Sequence, residues 1–256
     1  MAQPYLSIVI PAYNEAERIP ATLVDVDKRL ADADYSYEIL VVNDGSTDNT
    51  AAIVRNMAKM VRNLKLIDVA QNAGKGATVR QGMLLATGTI RLFTDADNST
   101  SIDQFAKMMP LFKQGAGVVI GSRAARGAEL DPPEAWYRQI PGKIGNLVFQ
   151  VVLGLWGTWD TQCGFKAFTA EAAERIFTAS TIGGWGFDVE ILALAKRMGY
   201  KIAEIPVRWV NDTRSHVKAS TYLKVLGETC IIRWKLWRGE YHLQTPQKPL
   251  PDSGLS

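Results

Sequence analysis

The sequence contains few cysteines and histidines, with two of each among 256 residues. Cys163 and Cys230 cannot form a disulfide framework, which favours a reducing compartment. Neither cysteine has a metal-ligating partner at a useful spacing, which argues against a zinc site of the Cys/His type. The formal net charge is only +3, so the total charge gives no indication of nucleic-acid binding, and no nucleic-acid partner is expected.

Long apolar runs are also missing. No window reaches the roughly 20 consecutive apolar residues of a membrane span. The opening Met-Ala-Gln-Pro-Tyr leads towards a strand without a basic segment and an apolar segment before it, so no signal peptide is expected. Any contact with a membrane is therefore expected from its surface.

Strands and helices are predicted to alternate in the first half of the chain. Short apolar, β-branched runs at 6–10, 37–42, 64–69, 89–94 and 117–120 are typical of buried strands. Asn14 is expected to cap the first helix, Ser46 or Thr47 the second, and another helix is expected at 102–112. This alternation predicts an α/β fold with a mainly parallel sheet and right-handed crossovers.

The pattern changes after residue 123. We expect a strand at 164–169, helices at 170–177 and 187–198, and a strand pair at 201–210 interrupted at Pro206. The apolar segment 143–159 and the segment 222–241, with its tryptophans and basic residues, are each either a helix packed in the core or a helix at a membrane interface. We expect one domain at 1–242, with halves 1–123 and 124–242, and a disordered tail at 243–256.

Two carboxylates one residue apart, Asp95 and Asp97, directly follow the predicted strand 89–94. Such oxygen ligands suit Mg²⁺ or Mn²⁺, which keep other positions for water and for phosphate oxygens. The pattern alone is weak, because turns and helix caps use Asp as readily. Asp44 and Arg123 also follow predicted strands, and ligands of parallel sheets bind beyond the carboxyl ends of the strands. These residues therefore indicate a binding site at one edge of the sheet.

Several motifs together resemble the family 2 glycosyltransferases of the GT-A fold. In the first half they are IPAYNE at 10–15, VNDGSTD at 42–48, NAGKG at 72–76 and DAD at 95–97. In the second half, GSR at 121–123, DTQCGFK at 160–166, WGFDVE at 185–190 and EIPVRW at 204–209 resemble the dolichyl-phosphate glucosyltransferase branch. The resemblance covers about residues 5–240 and implies a GT-A fold with interfacial helices in its C-terminal part.

The resemblance implies inverting transfer of glucose from UDP-glucose to a polyprenyl phosphate of the dolichyl type, with Mg²⁺ or Mn²⁺ held by Asp95 and Asp97. It implies these donor-binding residues: Pro11, Ala12, Tyr13, Glu15, Asp44, Lys75, Asp95 and Ala96. Two of them have simpler interpretations, since Asp44 is also typical of a turn and Lys75 of an exposed helix start. The glycines around Lys75 are expected to let the backbone approach the donor.

A phosphate acceptor is already an anion near neutral pH, so it needs positive charge more than a strong base. Arginine offers a two-pronged donor for phosphate, and the candidates are Arg123, Arg138, Arg208 and Arg214. Asp160 joins Asp97 and Arg123 as an expected catalytic residue, either as a base or as a group that orients an arginine or the sugar. Asp188 and Glu190 share a predicted helix, where a structural ion pair is the competing interpretation.

Three alternatives stay open. The donor could be GDP-mannose, since nothing in the sequence alone identifies the base or the sugar. The acceptor could be a soluble saccharide, which would require a true general base. The protein could also bind nucleotide sugars without catalysis, against which the intact carboxylates and Arg123 argue. The expected location is cytoplasmic, peripheral on the cytoplasmic face of the membrane.

Overall fold

The computed structural model describes residues 3–132, 136–210 and 219–241, with backbone alone at 136–141, 143, 219, 220 and 222. The strands are β1 Leu6–Ala12, β2 Tyr37–Asp44, β3 Leu64–Val69, β4 Ile90–Thr94, β5 Val118–Ser122, β6 Glu129–Asp131, β7 Phe165–Thr169, β8 Ile202–Pro206 and β9 Arg208–Val210. The α-helices are α1 Ile19–Arg29, α2 Thr50–Met57, α3 Lys75–Leu85, α4 Met109–Lys113, α5 Trp136–Leu153, α6 Ala170–Ala179, α7 Phe187–Arg197 and α8 Ala219–Arg238, and a 3₁₀ helix spans Ile102–Lys107.

Seven strands form one sheet in the order β3-β2-β1-β4-β7-β5-β8. Every neighbouring pair is parallel except the two that involve β7, which runs antiparallel to β4 and to β5. A separate parallel pair joins β6 to β9. The α/β fold with a mainly parallel sheet is therefore confirmed. Strands β7 and β8 lie beyond residue 123, so both halves of the chain contribute to the sheet, while the predicted domain bounds stay a prediction.

The direction of β7 decides which segment reaches the edge at which the parallel strands end. Strands β1, β2, β4 and β5 run the same way, so their carboxyl ends lie along one edge. Because β7 runs the opposite way, its first residue lies at that same edge. The segment 160–164, which leads into β7, is thereby brought beside the ends of β4 and β5.

The sheet is buried on both faces. All seven residues of β1 are buried, as expected for the continuous apolar run of a central parallel strand. One face packs against α1, α2, the 3₁₀ helix and α4, and the other against α3 and α5 to α8. Among the described helices, none is both long and apolar enough to cross a bilayer.

The predicted helix caps are wrong, because the polar residues of the two loops bind each other. The Asn14 side-chain oxygen accepts from the Thr47 backbone N–H at 2.8 Å, and the Asn14 N–H donates to Ser46 Oγ at 2.9 Å. Asn14 adopts a left-handed conformation with φ of 55°. Helices α1 and α2 begin later, at Ile19 and Thr50. The loops after β1 and β2 are thus joined to each other.

The single helix predicted at 102–112 is also wrong. The structure divides it into the 3₁₀ helix and the short α4, which begins at Met109. Pro110 lies in the first turn of α4, where its missing N–H costs nothing, whereas it would break a continuous helix. The predicted tail at 243–256 lies outside the described residues.

Candidate active site

Asp95 and Asp97 lie in a loop that is held by two neighbouring elements. The Asp95 N–H donates to the Gly164 carbonyl at 3.2 Å, and the Ala96 carbonyl accepts from Thr22 Oγ1 of α1 at 2.6 Å. Asp97 Oδ1 accepts from the Ser99 N–H at 3.0 Å. The side chains of Asp95 and Asp97 remain 23% and 21% exposed, so both are fixed in place and open to a ligand.

Cationic side chains flank the two carboxylates. Lys75 Nζ lies 2.6 Å from Asp95 Oδ1, and Arg18 Nη1 lies 4.0 Å from Asp97 Oδ2. Glu15 holds Arg18 through two contacts, at 2.7 and 2.5 Å. Burial, followed by the negative charge of Asp95, raises the pKa of Asp97. The folded protein thus destabilises the charge on Asp97, and a bound cation would relieve this.

Burial lowers the pKa of Lys75, but the charges of Asp95 and Asp188 outweigh it, and the net shift is upward. Lys75 is therefore a cation at neutral pH. Its ammonium also lies 5.3 Å from the centre of the Trp185 ring. The charge that the sequence predicted at this position is thus placed beside the predicted metal site.

The two carboxylates fit a magnesium or manganese ion that binds the protein and a substrate at the same time. The described residues contain no group of three or more His, Cys, Asp or Glu side chains able to hold a metal ion. A site with two protein carboxylates leaves coordination positions for water and for diphosphate oxygens, as is usual for Mg²⁺. Asp95 and Asp97 are the residues that would hold the ion.

Asp44, at the end of β2, is buried and binds the loop before α3. Its two carboxylate oxygens accept from the N–H groups of Ala73 and Gly74, at 2.8 and 3.0 Å. The carboxylate therefore shapes the loop that presents Lys75. Each oxygen retains a lone pair for a further donor. Binding of a base or ribose by Asp44 stays a prediction. Pro11, Ala12 and the half-exposed Tyr13 lie at the end of the adjacent β1.

The glycine at position 76 permits a close contact within the protein, and the approach of this loop to a donor stays a prediction. The Gly76 N–H donates to the Gly183 carbonyl at 2.9 Å. A Cβ at Gly76 would lie 2.5 Å from the Ile182 carbonyl oxygen, which is too close for any other residue. The start of α3 is therefore packed directly on the segment 182–184.

Arg123 and Asp160 form a second centre, at the end of β5. Nε and Nη2 of Arg123 donate to the two Asp160 oxygens at 2.7 and 2.8 Å, and the Arg123 N–H donates at 2.9 Å. The guanidinium also lies 4.8 Å from the centre of the Trp209 ring. Burial would raise the pKa of Asp160, but the charge and hydrogen bonds of Arg123 hold it below its ordinary value. This geometry fits a carboxylate that orients an arginine better than one that accepts a proton.

The structure does not bring Arg208 together with Arg123. Arg208 lies on β9, is 60% exposed and contacts Asp131 at 3.1 Å. The next residue, Trp209, faces Arg123, and successive strand residues point to opposite faces. The side chain of Arg208 is therefore directed away from Arg123. The side chain of Arg138 and all of Arg214 lie outside the described residues.

Lys166 is a buried residue to which the sequence interpretation gave no role. Its ammonium donates to the Cys163 carbonyl at 2.6 Å and contacts the Asp188 carboxylate. Lys166 and Asp188 thus form the structural ion pair that was the competing interpretation for Asp188. A signal existed, because a lysine between Phe165 and Ala167 in a buried strand needs a partner. Glu190 binds backbone and hydroxyl groups instead, including the N–H groups of Thr181 and Ile182 at 2.9 and 3.0 Å.

Arg18 and Glu204 are two further residues that the sequence interpretation missed. Arg18 is three positions after Glu15, a spacing that brings side chains together on a helical turn. Glu204 on β8 accepts from the Trp159 N–H at 2.6 Å. Its pKa is raised by burial. It therefore anchors the turn that carries Asp160.

A model of the family described as Glycosyl transferase family 2 matches residues 7–177, which include both carboxylates of the β4 loop, Arg123 and Asp160. The chain belongs to this family. The matched range covers more than half of the chain, and it ends inside α6. As a family 2 glycosyltransferase, the protein is an enzyme of sugar transfer.

Named relatives agree with the branch that the motifs indicated. A dolichyl-phosphate beta-glucosyltransferase of Dictyostelium discoideum is 39% identical over 254 residues, which are 94% of this chain and 77% of that protein. Another, from Trichomonas vaginalis, is 38% identical over 234 residues, which are 88% of this chain and 71% of that protein. The resemblance to the dolichyl-phosphate glucosyltransferase branch is confirmed.

A solved structure shows the same fold. Glucosyl-3-phosphoglycerate synthase from Mycobacterium tuberculosis, in complex with Mn²⁺, uridine diphosphate and glucosyl-3-phosphoglycerate, superposes with a TM-score of 0.64. The two sequences are 19% identical, and the match covers 96% of this chain and 82% of that one. The GT-A fold expected for a family 2 glycosyltransferase is confirmed.

Proposed function

We propose that the enzyme transfers glucose from UDP-glucose to a polyprenyl phosphate of the dolichyl type, with inversion at the anomeric carbon and with Mg²⁺ or Mn²⁺. The observation that carries this proposal is the placement of two charged centres at one sheet edge. Asp95 and Asp97 follow β4, Arg123 directly follows β5, and only β7 lies between these strands. The names of the relatives support the sugar and the acceptor. The bound ligands of the M. tuberculosis protein support uridine diphosphate and Mn²⁺.

The reaction is a single displacement. A phosphate oxygen of the lipid attacks the anomeric carbon, the bond from that carbon to the β-phosphate oxygen breaks, and UDP leaves with the electron pair. The second pKa of a phosphate monoester is about 6, so the attacking oxygen is already anionic at neutral pH. No group on the protein has to remove a proton. The ion pair of Asp160 with Arg123 agrees with this, because a paired carboxylate is a poor proton acceptor.

The donor side stabilises the leaving diphosphate. Asp95 and Asp97 would hold a divalent cation, which would supply Lewis-acid stabilisation of the developing charge. Lys75 adds a positive charge beside Asp95 and is oriented by a loop that Asp44 binds. Arg18 lies on the other side of Asp97, where Glu15 holds it.

The acceptor side holds the lipid phosphate opposite the donor. Arg123 is 35% exposed, so part of its guanidinium remains open although Asp160 orients it. Arginine is well suited to this role because its planar donors match the oxygens of phosphate. Arg138 and Arg214 stay candidates for the same phosphate.

We further propose that α8 lies on the membrane surface. One side of the helix is buried in the core through Val225, Ile232 and Leu236. The opposite side exposes Leu223, Trp234 and Trp237, of which Trp237 is 77% exposed. Three exposed cationic residues, Lys224, Arg233 and Arg238, flank this second apolar side. Exposed tryptophans with flanking cations fit a bilayer surface that carries anionic headgroups.

Helix α5, which packs against α8, extends the same surface. Its exposed residues Ile144, Leu147 and Val151 recur at spacings of three and four and thus share one side of the helix. Trp156 and Trp159 follow α5 and are both 61% exposed. A bilayer in contact with these elements would bring a lipid phosphate towards Arg123. The proposed location is peripheral, on the cytoplasmic face of the membrane.

A donor panel tests the proposed function. Purified enzyme with Mn²⁺ and a defined polyprenyl phosphate in detergent is given radiolabelled UDP-glucose, GDP-mannose or UDP-galactose, and label is counted in the organic phase. We expect label from UDP-glucose, with EDTA removing it. Label from GDP-mannose alone would contradict the assigned donor. Label that stays in the aqueous phase on an added soluble saccharide would contradict the assigned acceptor.

A further inference from the structure

The segment 181–186 joins α6 to α7 and lies beside the donor site. It carries Trp185, whose side chain is 42% exposed although it is a large aromatic group. Lys75 Nζ lies 5.3 Å from the centre of the Trp185 ring and 2.6 Å from Asp95 Oδ1. Lys75 therefore lies between the partly exposed Trp185 ring and a carboxylate of the proposed metal site.

Helix α8 holds the C-terminal end of this segment. Glu228 Oε2 accepts from the Gly186 N–H at 2.6 Å. A Cβ at Gly184 would lie only 2.2 Å from Glu228 Oε1, so the close approach requires glycine there. The peptide groups on both sides of Trp185 are thus fitted around one carboxylate, and the direction of the indole depends on it.

The other end of the segment is fixed by α7 and α3 together with a second residue of α8. Glu190 accepts from Thr181 Oγ1 at 2.8 Å, and Lys235 of α8 donates to the same oxygen at 2.9 Å. The Gly183 carbonyl accepts from the Gly76 N–H of α3 at 2.9 Å. The backbone from which Trp185 projects is thus held by α3, α7 and α8. An exposed aromatic ring on a fixed backbone is typical of a surface that receives a ligand.

We infer that the Trp185 indole packs against the hexose of the bound nucleotide sugar, and that Glu228 is the positioning residue that holds it there. The inference rests on the proposed function. Lys75 is placed to contact the diphosphate, so the ring beside Lys75 adjoins the group attached to that diphosphate. The C–H face of a pyranose is apolar and matches the face of an indole, while Lys75 and Asp95 offer polar partners for its rim.

Calorimetric titrations of UDP-glucose and of UDP, with Mn²⁺ present, test this inference in the whole protein. The variants are Trp185→Ala, Glu228→Ala and Glu228→Gln, with Glu171→Ala on the exposed face of α6 as the control. We expect Trp185→Ala to weaken UDP-glucose binding about tenfold and UDP binding less than about twofold. Glu228→Ala should behave alike, whereas Glu228→Gln should bind as the wild type because its amide oxygen still accepts from the Gly186 N–H.

The outcomes separate the inference from the proposed function. Wild-type protein that binds no UDP-glucose would contradict the proposed function. Wild-type binding with unchanged affinity in Trp185→Ala, or with equal losses for UDP-glucose and UDP, would overturn only the assignment of Trp185 to the hexose. If Glu228→Ala unfolds, Glu228→Gln and Trp185→Ala still decide, since both keep the contacts that hold the segment. If Glu228→Gln loses as much affinity for UDP-glucose as Trp185→Ala, the hydrogen bond to the Gly186 N–H is not what positions the ring.

Discussion

Arg123 and Asp160 meet through two parallel hydrogen bonds of 2.7 and 2.8 Å, and the backbone N–H of Arg123 adds a third to the same carboxylate. A carboxylate in this position fixes the direction of the guanidinium, which is always charged. Asp160 is 7% exposed, so its carboxylate is largely removed from water, while the Arg123 side chain stays 35% exposed. Substitutions at the two positions should therefore have closely related effects.

Replacing Arg123 by lysine should raise KM for polyprenyl phosphate by about tenfold or more, because lysine keeps the charge and loses the fork. KM for UDP-glucose should change little. Asp160→Asn should have a similar effect, and the double variant should be no worse than the worse single one. Steady-state kinetics with each substrate varied measure this. A fall in kcat alone for Asp160→Asn, additive with Arg123→Lys, would indicate that Asp160 acts as a base.

Asp97→Asn should lose nearly all transfer activity and should not bind Mn²⁺, as read from the electron spin resonance of the free ion. The same variant should melt at the wild-type temperature or above it. Burial and the charge of Asp95 raise the pKa of Asp97, so the ionised side chain destabilises the fold. Asp103→Asn, at an exposed carboxylate, is the matched control. Wild-type Mn²⁺ affinity in Asp97→Asn would contradict the metal assignment.

The pKa of Glu38 predicts how the stability of the fold depends on pH. Burial would raise its pKa, but hydrogen bonds from Ser7 and Thr87 outweigh this and lower it from 4.5 to about 2. A lowered pKa stabilises the fold above pH 4.5, and this stabilisation is lost as the pH falls from there towards 2. The loss is on the order of 3 kcal/mol, from about 1.4 kcal/mol per pKa unit.

Glu38→Gln should flatten this acid limb of the stability curve. The Ser7 hydroxyl and the N–H and hydroxyl of Thr87 all donate to Glu38 Oε1, and a glutamine keeps this acceptor as its amide oxygen. The contact of Lys65 with Oε2 is lost in the variant. Urea unfolding at pH values from 2.5 to 7 measures the difference. Identical slopes for the variant and the wild type would show that another group governs the acid limb.

Lys166→Met should destabilise the fold by about 3–5 kcal/mol, because it removes the ammonium that contacts the buried Asp188 carboxylate. Lys166 is fully buried and Asp188 is 4% exposed. The double variant Lys166→Met, Asp188→Leu should recover most of this loss, since neither buried charge remains. Denaturant unfolding of the three variants and the wild type measures the coupling. A double variant as unstable as the sum of the single ones would contradict a direct pair.

Trp234→Ser with Trp237→Ser should weaken binding to vesicles that contain anionic lipid, as measured by co-sedimentation. Both residues lie on the side of α8 that faces away from the core, and wild-type binding should also weaken in high salt. Met60→Ser is the control, since Met60 is 75% exposed and lies near α2 on the other face of the sheet. Unchanged sedimentation of the double tryptophan variant would exclude α8 from the membrane contact.

The sequence predicted the sheet and the location of its functional edge because apolar runs and the polar residues that follow them are local patterns. The first residues of the helices were harder to predict from the sequence. Asn14 and Thr47 have the side chains of capping residues, yet each finds its partner 33 positions away in the other loop. A local pattern cannot distinguish such a cross-link from a cap.

Long-range pairing also explains the parts of the site that were missed. Lys166 of β7 meets Asp188 of α7, which is 22 positions later in the chain. Arg208 was a candidate for the same phosphate as Arg123, but its neighbour Trp209 takes the side of β9 that faces Arg123. Which of two adjacent residues faces a site depends on strand register, which the motif alone does not determine.

Diffraction from crystals soaked with UDP-glucose and Mn²⁺ tests the proposed metal site most directly. We expect an anomalous difference peak between Asp95 and Asp97, in contact with both the carboxylates and the diphosphate, with the hexose directed towards Arg123. A manganese peak remote from both carboxylates, or a productive complex with no metal at Asp97, would contradict it.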